Sequence, residues 1–391
     1  MKVAFTGHKG IPATKGGGVE NYVQNLSTRL VDRGFEVISY NRYHYADVGS
    51  QWEGVEIKYT PCWESKSFEA ITHTFTSSWA ALWEKDLDIL HVNSVGPGLT
   101  IPFTRAAFWL KRILTGHKTS IVFTFHSEDW HHGKWGTVAK YMLRTGALLG
   151  SLFADEVIAV SKSIRGTVRR EFHRNAIYIP NGTNFHNINS DRYIKKFGLE
   201  KGSYIVFVAR LVKHKNPHVL IEAYQKMKER YGKKLVIVGG PAHTGEYEKY
   251  LHELAGDDPD IIFTGHQSGN TLKQLFANAA VYVLPSDSEG LSISLLEAAS
   301  YGVPIIVSSI PQNREVVRSY GGKVRPRSVQ SLARKLEEML SDYDTSLEKA
   351  AKLQEIVKDH YSWESIVEKI ERVYVDQYMK YSVEQPIFSY K

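Results

Sequence analysis

What most restricts the fold of this chain is a rhythm. Short apolar runs alternate with segments of helical periodicity along most of its 391 residues. In the first half the runs fall at 2–6, 35–40, 55–59, 88–92, 121–125, 156–160 and 177–179. A second series follows a polar stretch at 184–203, with runs at 204–208, 235–238, 261–263, 281–284, 304–307 and 322–324. Continuous apolar runs of this length suit strands buried on both faces, and strand–helix alternation predicts parallel sheets covered by helices. Two such series predict an α/β protein of two Rossmann-like domains facing a cleft. We place the first domain at 1–190 and the second at 191–360. Residues 361–391 are read as a C-terminal helix, from Tyr361-Ser-Trp363 to about Tyr381, followed by a tail. Arg327 to Asp344 reads as a further helix. No short-period repeat interrupts this pattern.

Composition narrows the chemistry. The single cysteine, Cys62, rules out an internal disulfide, is read as ruling out any cysteine-based metal site, and fits a reducing compartment. The apolar start breaks at Gly7, too early for a secretion signal, and no uncharged run is long enough to span a bilayer. A cytoplasmic location is therefore expected. The net charge of +7 favours anionic partners. No nucleic-acid-binding signature accompanies it, so a nucleotide-sugar or an anionic membrane surface accounts for it better. Residues 97–118 interleave aromatic and aliphatic side chains with Arg105, Lys111, Arg112 and Lys118. A lipid-facing helix would look so, but the preferred reading is a helix packed on the sheet with a solvated basic face.

The stretch 280–304 carries the densest chemistry. An apolar strand ends at Pro285, a polar turn ends at Glu289-Gly290, and Leu291, Leu295 and Ala299 recur at helical spacing up to Gly302 and Pro304. Ligands of open α/β sheets bind at the carboxyl ends of strands, against helix N-termini. Glu289 lies at such an end. Glu297 lies further along the helix. Amides near Leu291 and Ser292 suit a phosphate, and the two carboxylates suit hydroxyls. Each acid taken alone reads equally as a solvated surface group. Three glycines at 16–18 open another helix and would let a phosphate approach the backbone; neither the dinucleotide fingerprint nor a Walker loop is present. Arg210 follows the first strand of the second series, with Lys213 and Lys215 beyond it, offering fixed charge for a diphosphate. Gly239 and Gly265 end the next two strands, where a ribose or base would come close. His126 ends a buried strand and is followed by Asp129 and Trp130. The histidines at 126, 131 and 132 lack any metal-ligand pattern, and Asp86-Leu-Asp88 reads as a cap of the strand it precedes.

Taken together, Glu-Gly followed by a second Glu and Ala-x-x-x-Gly-x-Pro, with Arg210-x-x-x-x-Lys215 and the glycine run, resembles the retaining family 4 glycosyltransferases, which have the GT-B architecture. The resemblance covers the chain to about residue 380, and it implies that the C-terminal helix of 361–391 crosses back to the first domain. It implies that Glu289 with Gly290, Leu291 and Ser292 contacts the donor sugar and its phosphates. Glu297 would hold the ribose hydroxyls, and Arg210 and Lys215 the diphosphate. Gly16, Gly17 and Gly18 would flank the donor, with Gly17 foremost. His126 would contact the donor sugar near the reacting carbon, making His126, Glu289, Arg210 and Lys215 the catalytic set. Asp129 and Trp130 would lie on the acceptor side. The first domain would take the acceptor and the second the donor. No cofactor and no metal are implied. The segment Gly10-Ile-Pro-Ala-x-x-Gly-Gly with Glu20 resembles more narrowly the bacterial polysaccharide rhamnosyltransferases. The implied reaction moves a hexosyl or rhamnosyl group from a nucleoside-diphosphate sugar to a polysaccharide or lipid-linked glycan acceptor, with retention of configuration. Family members often act on lipid-linked acceptors, so peripheral contact with an anionic membrane belongs to this reading. A nucleotide-sugar 2-epimerase of the same architecture, or a silent nucleotide-sugar-binding scaffold, are the alternatives.

Overall fold

The computed structural model describes residues 1–13, 17–65, 68–131, 136–240 and 245–382. They form two compact units, one from Met1–Asn181 together with the last helix and one from Gly182–Ser362.

The first unit contains β1 (Lys2–Thr6), α1 (Gly18–Asp32), β2 (Glu36–Arg42), β3 (Gln51–Trp52), β4 (Val55–Thr60), α2 (Glu69–Leu82), β5 (Ile89–Asn93), α3 (Ile101–Thr115), β6 (Ser120–Phe125), α4 (Thr137–Phe153), β7 (Glu156–Ala159), α5 (Lys162–Phe172) and β8 (Ile177–Tyr178). They build one sheet in the order β3-β4-β2-β1-β5-β6-β7-β8. All neighbours are parallel except β3 and β4, which form an antiparallel hairpin. The hairpin is absent from the sequence reading. Its signal is Glu53-Gly54, both at positive φ (44° and 80°), as a tight hairpin turn requires.

Strand periodicity sorts the two sheet faces. Val3, Phe5, Ile89, Val122 and Ile158 point one way, into a core with Tyr22, Leu26 and Leu30 of α1. Residues one position along serve the other face. Thr6 Oγ1 meets Ser77 Oγ of α2 at 2.5 Å, and Phe123 lies against Gly150 of α4 so closely that a Cβ there would sit 2.2 Å from its ring. On this second face α2 packs against α3, and α3 against α4.

α3 corrects the expectation for residues 97–118. Its inward side presents Ile101, Thr104 and Phe108. Lys111 Nζ donates to the Glu84 carbonyl at 2.7 Å, and Arg105 bonds Asp155 and the Phe153 carbonyl. Those two cations are held by the protein, and the apolar side faces outward.

The second unit contains β9 (Tyr204–Val208), α6 (Pro217–Gln225), α7 (Lys228–Tyr231), β10 (Lys234–Val238), α8 (Glu246–Ala255), β11 (Ile261–Gly265), α9 (Gly269–Ala277), β12 (Val281–Leu284), α10 (Ile293–Ser300), β13 (Ile305–Ser308), α11 (Pro311–Val317), β14 (Gly322–Val324), α12 (Val329–Ser341) and α13 (Tyr343–Tyr361). Its strands are all parallel, in the order β11-β10-β9-β12-β13-β14. Counted within the unit this is 3-2-1-4-5-6, the Rossmann order, whose direction reverses between β9 and β12. The polar stretch 184–203 lies inside this unit, anchored by buried Ile194 and Leu199.

The last helix, α14 (Trp363–Ser382), belongs to the first unit as expected. Trp363, Ile366, Ile370 and Tyr374 recur at helical spacing and complete the core around α1. Tyr374 reaches through to His91 Nδ1 at 2.5 Å, and the other ring nitrogen of His91 meets Thr124 Oγ1 at 2.6 Å.

Candidate functional site

In the second unit the chemistry gathers where the strand order reverses. The loop after β9 and the loop after β12 emerge side by side there, and a set of polar contacts binds them. Asn216 adopts a left-handed conformation (φ 53°) just ahead of Pro217, which starts α6. Its Nδ2 donates to the Pro285 carbonyl at 3.0 Å and to Asp287 Oδ1 at 2.7 Å. The Asp287 amide donates to the His214 carbonyl at 2.8 Å. Asp287 Oδ2 takes Arg327, with 2.7 Å from both Nε and Nη2. Neither Asn216 nor Asp287 figured in the sequence reading. An Asn before a helix-opening Pro, and an Asp between two serines after a strand, are the signals that point to them.

On this frame Lys215 Nζ donates to both Glu289 oxygens, at 2.6 and 2.7 Å. Both side chains are largely buried. Each carboxylate oxygen keeps a lone pair, and the ammonium keeps a third proton, so the pair retains capacity for a ligand. Arg210 stands at the end of the same loop system, exposed, its guanidinium without a partner among the described residues. The formal charge of Arg210, Lys215 and Glu289 together is positive, as a binding place for an anion requires.

α10 is capped by Ser292, whose Oγ accepts the Leu295 amide at 3.3 Å. Leu291 is buried, Gly290 half-buried. Glu297 lies one turn into α10, half-buried, with no hydrogen-bond partner for its carboxyl among the described residues. Burial raises its pKa to about 7. Tyr282 of β12 bonds Ser294 Oγ at 2.9 Å. Burial pushes its ionisation well upward, and Glu289 and Glu297 add to this, so both carboxyls lie within electrostatic reach of one hydroxyl. Gly239, at φ 154°, allows the end of β10 to touch the turn after β9; a Cβ there would sit 1.9 Å from the Ala209 carbonyl. Gly265 closes β11 at φ 66°.

In the first unit a comparable reversal lies between β1 and β5. Gly7 (φ 85°) follows β1, and a Cβ there would fall 2.2 Å from the Asn93 carbonyl at the end of β5. Asn93 Nδ2 donates to the Thr6 carbonyl at 3.1 Å, which turns Oδ1 toward His126 Nε2 at 2.9 Å. Nε2 therefore carries the proton and Nδ1 is left as an acceptor. Burial lowers the His126 pKa to about 3, so the ring is neutral at physiological pH. It can accept a hydroxyl proton in a hydrogen bond but not serve as a titrating acid.

Gly17 is the N-cap of α1 at φ 146°, and a Cβ there would meet Glu20 Oε2 at 1.9 Å. Glu20 Oε1 accepts the Lys9 amide at 3.1 Å, so the acid folds back over the helix start. Gly18 is the first residue of α1. Gly16 and His132 lie outside the described residues. Asp129 is half-buried in a single 3-10 turn. The neighbouring Trp130 is buried edge-on against Phe172, 5.8 Å between centroids.

Asp88 behaves as a strand cap: Oδ2 accepts the Lys2 amide at 2.8 Å. One metal expectation needs correction. His44, Cys62 and Glu69 each bring a ligand atom within 4.8 Å of the others, so a lone cysteine does not preclude a mixed-ligand cluster. Glu69 is already engaged there by Arg42 at 3.0 Å and His44 at 2.7 Å.

Comparison with known proteins agrees with the layout. Residues 16–186 match the family described as Glycosyltransferase Family 4, and residues 189–360 match Glycosyl transferases group 1. An uncharacterized glycosyltransferase of Methanocaldococcus jannaschii is 34% identical over 206 residues, 48% of this chain and 51% of that protein. A GDP-mannose-dependent alpha-(1-6)-phosphatidylinositol monomannoside mannosyltransferase of Mycobacterium tuberculosis is 29% identical over 204 residues, 48% of this chain and 53% of that protein. The chain thus spans about half the length of the curated relatives it matches. The Anabaena HepE protein, solved with UDP and glucose, superposes with a TM-score of 0.77 at 18% identity, covering 96% of this chain and 100% of that one. The fold is that of the GT-B glycosyltransferases, with two parallel-sheet α/β domains.

Proposed function

We propose that this chain, built from a Glycosyltransferase Family 4 domain and a Glycosyl transferases group 1 domain, transfers a sugar from a nucleoside-diphosphate donor to an acceptor hydroxyl. The observation that carries this reading is the charge arrangement at the β9/β12 reversal. Arg210 and a half-buried Glu297, neither with a side-chain partner among the described residues, stand with a Lys215–Glu289 pair. The cations suit a diphosphate, and the carboxyls suit the hydroxyls of ribose and sugar. The HepE structures with UDP and UDP-glucose support a nucleotide-sugar as the donor class.

In the proposed step the bond from the anomeric carbon to the phosphate oxygen breaks as the acceptor oxygen attacks from the same face. A donor phosphate oxygen takes the acceptor proton, and configuration is retained. Arg210 and Lys215 meet the charge that develops on the departing diphosphate, the task a divalent ion performs in other transferases. Glu289 holds Lys215 in place and accepts from the donor sugar. In the first unit His126 offers Nδ1 to a sugar hydroxyl, and Gly17 keeps the backbone at the start of α1 open to a ligand. We assign donor binding to the second unit and the acceptor to the first, with a hexosyl or rhamnosyl group passing to a polysaccharide or lipid-linked acceptor. The phosphatidylinositol mannoside specificity of the mycobacterial relative supports a lipid-linked one.

The test is a thermal-shift screen of UDP, GDP, dTDP and ADP and their sugars, with and without EDTA. One nucleotide is expected to raise Tm, with EDTA making no difference. Arg210→Ala should abolish the shift and cut turnover about 100-fold or more, with the Tm of the free protein unchanged. A full nucleotide shift in that variant would remove the assignment, and loss of turnover with EDTA restored by manganese would remove the metal-free step.

A further inference from the structure

We propose that His44, Cys62 and Glu69 bind a zinc ion that ties the loops after β2 and β4 to the start of α2. The sheet brings these residues together. β2 and β4 run parallel, with Arg42 opposite Thr60. His44 and Cys62 each lie two residues beyond that pair, so the two loops leave the sheet side by side. Glu69 is the first residue of α2. One ligand atom from each of the three lies within 4.8 Å of the other two. Ligands of a tetrahedral zinc ion stand about 3.3 to 3.7 Å apart, so side-chain adjustments of about 1 Å would seat the ion.

The ligand set selects the metal. Mg2+ and Ca2+ take oxygen ligands, whereas a thiolate, an imidazole and a carboxylate together suit borderline-soft Zn2+. A single cysteine cannot hold an iron–sulfur cluster. Thiolate and carboxylate carry two negative charges, which the ion balances. Cys62 is a free thiol, half-buried. Burial raises its pKa, so the ion binds by displacing the thiol proton. Glu69 is already oriented. The buried Arg42 approaches its Oε1 at 3.0 Å, and His44 Nε2 meets the same oxygen at 2.7 Å. The ion would replace the proton between His44 and Glu69, while Arg42 goes on holding the carboxylate from outside. Three protein ligands leave a fourth position to water, on the exposed side of His44. A second observation points the same way. His73 lies one turn beyond Glu69 on the same face of α2 and is fully buried. The Asn41 carbonyl approaches its ring, but neither ring nitrogen makes a full hydrogen bond among the described residues. Its ring is within electrostatic reach of both Glu69 and His44. A buried imidazole left so signals a partner that these side chains do not supply.

This site goes beyond sugar transfer, and its test uses neither donor nor acceptor. The full chain, without a histidine tag and stripped with chelator, is titrated with Co2+ and then with Zn2+. The wild type is expected to bind Co2+ with the near-ultraviolet charge-transfer band of a thiolate ligand, and Zn2+ to bleach that band. Cys62→Ser should abolish the band, and His44→Ala and Glu69→Gln should each weaken Co2+ binding about tenfold or more. Zn2+ at about 100 times its Kd should raise the wild-type Tm by about 5 °C and leave Cys62→Ser unmoved. Excess EDTA should reverse that rise equally with and without nucleotide, so the nucleotide shift itself stays the same. His360→Ala, an exposed histidine of the second unit, should change nothing. A wild type without the band would overturn the proposal, as would zinc stabilisation undiminished in Cys62→Ser. So would His44→Ala and Glu69→Gln both binding Co2+ as the wild type does. The thiolate band and zinc response without any nucleotide shift would uphold the site and sink the transfer reading alone.

Discussion

Glu297 offers the sharpest test of the second unit, because its structural and functional roles have opposite signs. Burial raises its carboxyl from the ordinary 4.5 to about 7. The folded protein therefore binds the proton more tightly than the unfolded chain. Stability from this group is at its best below about pH 4.5, falls as pH rises toward 7, and is level above that. The gap corresponds to about 3 kcal/mol of lost stability at pH 8, less whatever water recovers at the exposed edge of the side chain. Glu297→Gln keeps the shape and removes the charge. Its Tm should match the wild type near pH 4.5 and exceed it by about 5 °C at pH 8. Binding should move the other way. A ribose diol donates two hydrogen bonds, which an ionised carboxylate accepts and an amide matches poorly. Nucleotide affinity of the wild type should weaken as pH falls below 7. Glu297→Gln should bind more weakly at pH 8 and show little pH dependence. The assay is calorimetric titration of the nucleotide with parallel melting curves from pH 4.5 to 9. Parallel Tm profiles in the two proteins would refute the buried, proton-binding carboxyl. A more stable variant with unchanged nucleotide affinity would refute the ribose contact.

Two further outcomes follow from buried polar pairs. Lys215→Ala leaves Glu289 without its partner and should cost about 3 to 5 kcal/mol in a urea melt, whereas Lys215→Met with Glu289→Leu should recover much of that and no turnover; a double variant as unstable as the single would contradict the account. Tyr374→Phe strands one His91 nitrogen in the core and should cost about 1 to 3 kcal/mol, read from the same melt, and an unchanged midpoint would mean the contact does not form.

The strands were legible because a parallel strand buried on both faces must be apolar throughout, and glycine, proline and polar residues close it. The last helix was legible for the same reason, since Ile366, Ile370 and Tyr374 recur at helical spacing. The direction α3 faces was not. Its apolar and basic residues fit either burial, and only the capture of Lys111 by the Glu84 carbonyl and of Arg105 by Asp155 decides it. At the site the residue types were readable and their partners were not. Lys215 and Glu289 are 74 positions apart, and nothing local announces that one neutralises the other. Asn216 acts through a left-handed backbone that its residue type permits but does not require. Trp130 is placed on the acceptor side by resemblance alone, and its packing on Phe172 at the end of α5 could not be read locally.

The two reversal points differ in a way that bears on what each unit can hold. Both use a glycine at positive φ to bring one strand end against another, Gly7 on Asn93 and Gly239 on Ala209. At the first, the polar groups are a neutral His126 and an amide that bond each other. A fully ionised diphosphate would find no fixed cation in that pair, whereas a sugar hydroxyl would find the acceptor Nδ1. At the second, among the described residues, Arg210 has no side-chain partner, Lys215 has a donor to spare, and Glu297 is a carboxyl without a hydrogen bond. A charged group brought there would meet a Lys215 ammonium already held by Glu289, so little reorganisation opposes it at that cation. One sheet scaffold thus yields two chemically different ends, and the difference lies in a handful of loop residues rather than in the fold.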